Sequence, residues 1–201
     1  FVVAHEGMMA ALLTFACMNF FAAPVLVTLP FYATDYLGLG SQWYGYMMAA
    51  FGMGALAGYV PVASKPARGK ARAGTLLGCL VMEAALIAAA LAPLPSWMSV
   101  IMLFSVGVAN GIVNVNLATL FQLATPRELL GRVNSLSNTF SGAAMPLGMA
   151  LSGAAFDLSG QNVPLMFGVS AAAMLACTVV PLAVSRGFFR FLSTDTPRAA
   201  A

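Results

Sequence analysis

Long apolar runs separated by short polar turns set the rhythm of the chain. Six runs recur, at roughly Met8–Thr34, Tyr44–Ala63, Ala73–Leu91, Trp97–Leu120, Val133–Phe156 and Val163–Val184. Each approaches or exceeds the roughly 20 residues a helix needs to cross a hydrocarbon core. Backbone amides and carbonyls find no water there, so each run is expected to close its hydrogen bonds internally as an α-helix. "LGLGSQ" (37–42) and "APLPS" (92–96) read as short turns at one end and "SKPARGKAR" (64–72) as a basic turn at the other. The predicted fold class is an all-α integral membrane protein, a six-helix bundle over residues 1–192. The polar tail "STDTPRAAA" (193–201) is expected to be disordered.

Composition strengthens this reading. Apolar residues make up 61% and charged residues 7% of the 201 positions, with a mean hydropathy of +0.90, well away from the soluble norm of about half apolar and a quarter charged. Charge matters through its placement. Lys65, Arg68, Lys70 and Arg72 lie between runs two and three, Arg127 and Arg132 between four and five, and Arg186, Arg190 and Arg198 after six. The opposite connections carry Asp35 and Asp157 and no Lys or Arg. By the positive-inside rule these cations anchor the cytoplasmic side, placing both termini inside a plasma or inner membrane. Tyr32, Tyr36, Trp43, Tyr44, Tyr46 and Trp97 border the outer turns, where amphipathic rings settle at the interface.

Several classes are set aside at this stage. Nine Lys/Arg against six Asp/Glu, dispersed, do not make a nucleic-acid footprint. Cys17, Cys79 and Cys177 are odd in number and lack metal-ligand spacing, so no metal site and no disulfide framework is expected. The first run is longer than the core of a secretory signal and is expected to stay in the mature chain. The opening on Phe1 is read as a piece of something longer. His5 precedes the first run, so no base can be placed beside Ser141 for nucleophilic catalysis. No enzyme and no cofactor is expected.

Two stretches carry a resemblance. "LPFYATDYLGLGSQWYGYMMAAFGMGALAG" (29–58) and "FQLATPRELLGRVNSLSNTFSGAAMPLG" (121–148) resemble the seventh-to-eighth and tenth-to-eleventh helix regions of major facilitator superfamily transporters, drug, macrolide and siderophore exporters in particular. The family's Gly-x-x-x-Asp-Arg-x-Gly-Arg-Arg loop is matched only in part: "GYVPVASKPARGKAR" (58–72) keeps Gly58 and Arg68-Gly69-Lys70 but has no Asp. The resemblance implies the C-terminal half of a twelve-helix protein, partnered by an N-terminal six-helix half. Each half is an inverted repeat of three helices, and substrate binds near the midplane. It also implies that runs one and four line the cavity, two and five form gates, and three and six lie outside. Proton-coupled export of a small molecule is the activity it implies.

On that plan Asn19, Asn110 and Asn114 fall in the cavity-lining runs, and Asn134, Asn138 and Ser141 make an i, i+4, i+7 stripe on the fifth. These amides and hydroxyls are candidates either for substrate contacts or for interhelical bonds worth about 0.6–2 kcal/mol each. Asn116, off the Asn114 face, reads as structural. Gly54-x-x-x-Gly58 and Gly107-x-x-x-Gly111 are faces for close helix approach. Pro24, Pro146, Gly142 and Gly148 are candidate bend and gating points.

Glu83 is the one ionisable group deep in a run. Either it faces inward as a proton carrier, or it is bonded to a neighbouring helix as structure. Thr125, Pro126 and Glu128 are expected to cap a short surface helix that Gly131 breaks. The predicted function is proton-coupled efflux of a largely apolar or amphipathic molecule across the lipid bilayer. The alternative is a self-contained six-helix subunit, acting as a dimer or structural partner without transport of its own.

Overall fold

The computed structural model describes residues 6–92 and 95–194. The expected tail from residue 195, with Arg198, residues 93 and 94 of the 92–96 turn, His5, and the side chains of Ser141 and Arg186 lie outside the described residues. Among the described residues the chain is helical, without strands. Six long helices follow the apolar runs: α1 (Glu6–Phe31), α2 (Gln42–Ser64), α3 (Gly69–Ala89), α4 (Ser96–Ala124), α5 (Leu130–Leu158) and α6 (Val163–Val184). A seventh, α7 (Arg186–Leu192), is short.

Five helices are long and apolar enough to cross a membrane, namely α1 to α4 and α6, with α1 extended to Tyr36. α5 has the length, 29 residues, but is not one of them. Arg132, Asn134, Ser135, Ser137, Asn138 and Thr139 crowd its first turns and dilute its apolar content. All six expected runs are thus helical, five of them apolar enough to cross and the fifth in order polar at its start.

Local chemistry shapes the ends. After Pro30 the last turn of α1 widens into a π-helix, Tyr32–Tyr36, closed by Leu37 N–H donating to the Tyr32 carbonyl at 3.0 Å. Gly160 and Gln161 both take positive φ, turning the chain sharply between α5 and α6. The Asn162 side chain then caps α6, accepting from Leu165 N–H at 3.0 Å. The 125–131 segment departs from expectation. Thr125 is extended, as a residue before proline tends to be, and Pro126 is extended too. A 3-10 turn, Arg127–Leu129, without a side-chain cap, runs straight into α5, and Gly131 lies inside that helix.

Packing follows a permutation. α2 packs most extensively on α4 and α1 on α5, followed by α1 on α6, α3 on α6 and α3 on α4. Exchanging α1 with α4, α2 with α5 and α3 with α6 maps this set onto itself, so two three-helix units interlock. Glycine makes the tightest seam possible. A Cβ at Gly54 or Gly58 would land on the carbonyls of Phe104 or Val108 of α4, and one at Gly107 or Gly111 on those of Phe51 or Ala55 of α2. The two backbones therefore meet without side chains between them.

The contacts also sort the bundle into two ends. At one, Gly7 of α1 lies against Gly187 of α7, and the Phe121 ring of α4 meets Phe191 at 5.7 Å. Arg72 is 4% exposed there and donates to the carbonyls of Ala67 at 3.0 Å and Thr194 at 2.9 Å. It therefore clamps the α2–α3 turn to the chain after α7, whereas Lys65, Arg68, Lys70, Arg127 and Arg132 are exposed. At the other end Tyr32 stacks on Phe167 of α6 with centroids 4.9 Å apart, and Phe31 meets Phe156 of α5 at 4.8 Å. The Tyr36 hydroxyl donates to the Leu91 carbonyl at 2.6 Å.

Phe188 and Leu192 of α7 are fully buried. Phe188→Ala is expected to remove about 3–5 kcal/mol of packing and to detach α7, read as faster limited proteolysis after residue 184 in detergent, with α1 to α6 staying resistant.

Candidate functional site

The permuted packing leaves a gap in the middle of the bundle. α1, α3, α4 and α6 surround a cavity of about 310 Å³, to which α2 adds Phe51 and α5 adds Met145. That size suits a small organic ligand. The wall is mostly apolar, and four methionines, Met18, Met102, Met145 and Met174, contribute to it. Their unbranched thioethers can refit around ligands of different shape.

Polar groups are few and placed by helix geometry. Asn19 of α1 donates Nδ2 to the Phe15 carbonyl one turn back at 2.9 Å. On α4 Asn114 Nδ2 donates to both the carbonyl and Oδ1 of Asn110, at 2.9 and 2.8 Å. The two α4 amides form a linked pair that retains Asn110 Nδ2 as a donor and Asn114 Oδ1 as an acceptor. All three amides line the cavity. Asn116 is buried away from it and bonded to the Ile112 carbonyl at 2.9 Å.

Glu83 completes the polar set. It is 5% exposed, lines the cavity, and its Oε1 has no hydrogen-bond partner. Glu83 therefore borders the cavity, and its Oε1 makes no bond to a neighbouring helix. α3 packs on α6 and α4, and from there Glu83 reaches the same space as Asn19 and Asn110. No Lys, Arg, His or second carboxylate lines the cavity, and among the described residues no group of three or more His, Cys, Asp or Glu is arranged to hold a metal.

Other expected positions fall elsewhere. Asn138 is exposed and does not line the cavity, where α5 is represented by Met145 instead. Pro24 lies inside α1 where that helix meets α5. Its missing amide frees the Phe20 carbonyl from the helical ladder, and Gly148 packs against that carbonyl and the Ala23 side chain. Thr28 Oγ1 donates to the Pro24 carbonyl at 2.6 Å, and Thr34 repeats the contact with Pro30 at 3.1 Å. Gly142 faces open space and Pro146 is exposed. The apolar wall residues Phe15, Phe51 and Phe167 carry no polar marker, and only their spacing on facing helices could have singled them out.

Gly148→Val is expected to force α5 off α1 at Phe20 and Ala23 and cost about 1–3 kcal/mol. Gly142→Ala, entering open space, should stay within about 1 kcal/mol of the parent. Thermal unfolding of both variants in detergent checks the contrast.

A family model described as Major Facilitator Superfamily matches residues 2–149 of the chain. No curated protein and no solved structure matches it.

Proposed function

Because the chain belongs to the Major Facilitator Superfamily, we propose that it is one half of a secondary active transporter that moves a small, amphipathic molecule by alternating access. The observation that carries this reading is the cavity of about 310 Å³ with its apolar, methionine-rich wall, linked amides and single acid. In this reading α5 is the sixth crossing helix, its polar first turns facing a water-filled path and not lipid. The basic end is cytoplasmic, since the exposed Lys65, Arg68, Lys70, Arg127 and Arg132 collect there while Asp35 and Asp157 sit at the other. The two interlocked three-helix units are an inverted repeat, and an N-terminal six-helix half supplies the facing wall of the path.

Coupling rests on Glu83. An acid without a counter-cation in an apolar enclosure is costly as a bare carboxylate and comfortable when protonated. It is thus a natural carrier for a proton moving against the substrate. Export by proton antiport fits this chemistry and the local likeness to drug and macrolide exporters. A self-contained six-helix subunit remains the competing reading, and the sequence encoded upstream of Phe1 distinguishes it.

Vesicles carrying the full-length protein and a fluorescent amphipathic dye provide the test. Dye movement is expected to follow an imposed pH gradient, and Glu83→Gln is expected to abolish that dependence. A Gln variant with full dependence would exclude Glu83 as the carrier, and dye movement indifferent to gradients of either sign would sink the antiport reading.

A further inference from the structure

Two cysteines far apart in the chain come together at a helix crossing. Cys17 stands on α1 and Cys177 on α6, and a side-chain hydrogen bond joins their thiols. α1 packs on α6, and the next residues along fix the register, since Thr178 Oγ1 donates to Met18 Sδ at 3.9 Å and to the Met174 carbonyl at 3.0 Å. Met18, Met174 and Thr178 are all buried. The packing of two helices therefore holds the thiols together. Their surroundings differ: Cys17 is exposed and borders an apolar groove between α1 and α5, with Leu13, Phe20 and Phe140, while Cys177 is half-buried. The third cysteine, Cys79, is buried on α3.

A disulfide needs its sulfurs about 2.05 Å apart and its Cβ atoms about 3.5–4.5 Å apart. Thiols already in hydrogen-bond contact lie one side-chain adjustment from that geometry, and an exposed thiol beside a resolving partner is the arrangement that oxidants close. We propose that Cys17 and Cys177 form a peroxide-sensitive pair whose disulfide pins α1 to α6 and arrests transport. Hydrogen peroxide, small enough to enter the groove, is the oxidant. The Cys17 sulfur, having given up its proton, attacks one peroxide oxygen; the O–O bond breaks, and hydroxide leaves to take that proton as water. Cys17 is then a sulfenic acid. The Cys177 sulfur attacks it, the S–S bond forms as the S–O bond breaks, and the Cys177 proton leaves with hydroxide as a second water. Two electrons pass from the thiols to the peroxide, and a dithiol reductant reverses the closure. The new bond lies beside Met18 and Met174, which line the cavity. It fastens to α6 the part of α1 that precedes Pro24, so that this part no longer moves against its neighbour. The arrest rests on the transporter reading; the disulfide does not.

The full-length protein in detergent is treated with hydrogen peroxide and digested, and its peptides are weighed before and after dithiothreitol. The peptides of Cys17 and Cys177 are expected to appear joined, at their summed mass less two hydrogens, and to separate on reduction, while Cys79 stays open to alkylation after unfolding. Cys17→Ser should remove the joined species. In vesicles, peroxide is expected to abolish gradient-driven dye movement, dithiothreitol to restore it, and Cys17→Ser to move dye with or without peroxide. The parent's thermal midpoint should rise on oxidation and fall back on reduction, with no such shift in the Ser variant. Should Cys17→Ser fail to fold, Cys177→Ser serves the same comparisons. Absence of the joined peptides would overturn the inference. Dye movement untouched in fully joined protein, or an unmoved midpoint, would overturn the pinning. A protein that joins its thiols and raises its midpoint on oxidation, yet moves no dye before it, refutes the transporter reading and with it the arrest, and leaves the thiol pair standing.

Discussion

Every main-chain polar group in an apolar solvent has to find its partner inside the protein, and the rest of this structure depends on that constraint. It extends to the side chains. Thr14, Asn19, Thr28, Thr34, Thr75, Ser105, Asn116, Thr119 and Thr178 each donate to the carbonyl four residues earlier. A hydroxyl or amide that bonds its own helix can face lipid, a neighbour or a cavity at little cost. Buried atoms of Thr125, Ser137 and Ser170 make no such bond, and neither does Glu83 Oε1, since a carboxylate has no donor to give back to the helix.

With hydrogen bonds closed within each helix, association falls to close packing. The α2–α4 seam is built from four glycines whose missing side chains let carbonyls of one helix approach the other, and Gly148 does the same for α5 against Phe20 and Ala23 of α1. Because these two seams exchange under the same permutation that relates the three-helix units, the centre of the bundle is framed by two pairs of closely joined helices. The cavity lies between them, and α3 and α6 close it from behind.

Much of this was legible in the chain. Apolar runs locate the helices because length and hydropathy are what a membrane selects, and spacing alone paired Asn110 with Asn114. Context decided the rest. The residues of α7 look like the start of a polar tail until Phe188, Phe191 and Leu192 are seen against the starts of α1 and α3. Arg72 reads as one more surface cation, yet it is buried and bonded across 122 residues to Thr194. The direction of Glu83 depends on the rotation of α3, which a helix apolar on nearly all sides does not encode. Asn138 shares a stripe with its neighbours in sequence and is exposed, while Met145, further along α5, borders the cavity. The cap expected at Thr125 is absent because Pro126 is itself extended, so the turn begins one residue later and Pro126, with no side-chain acceptor, stands in the cap position.

The two ends of α1 have one more consequence. The helix is fastened at its start by the Gly7–Gly187 contact and beyond its finish by the Tyr36 hydroxyl on Leu91, and in between Pro24 has taken a hydrogen bond out of its spine. A beam clamped at both ends and thinned in the middle yields by bowing, because tilting would have to break a clamp. The compliance of the cavity wall is therefore concentrated at the prolines of one helix, Pro24 and then Pro30, the first of which frees the Phe20 carbonyl next to Asn19.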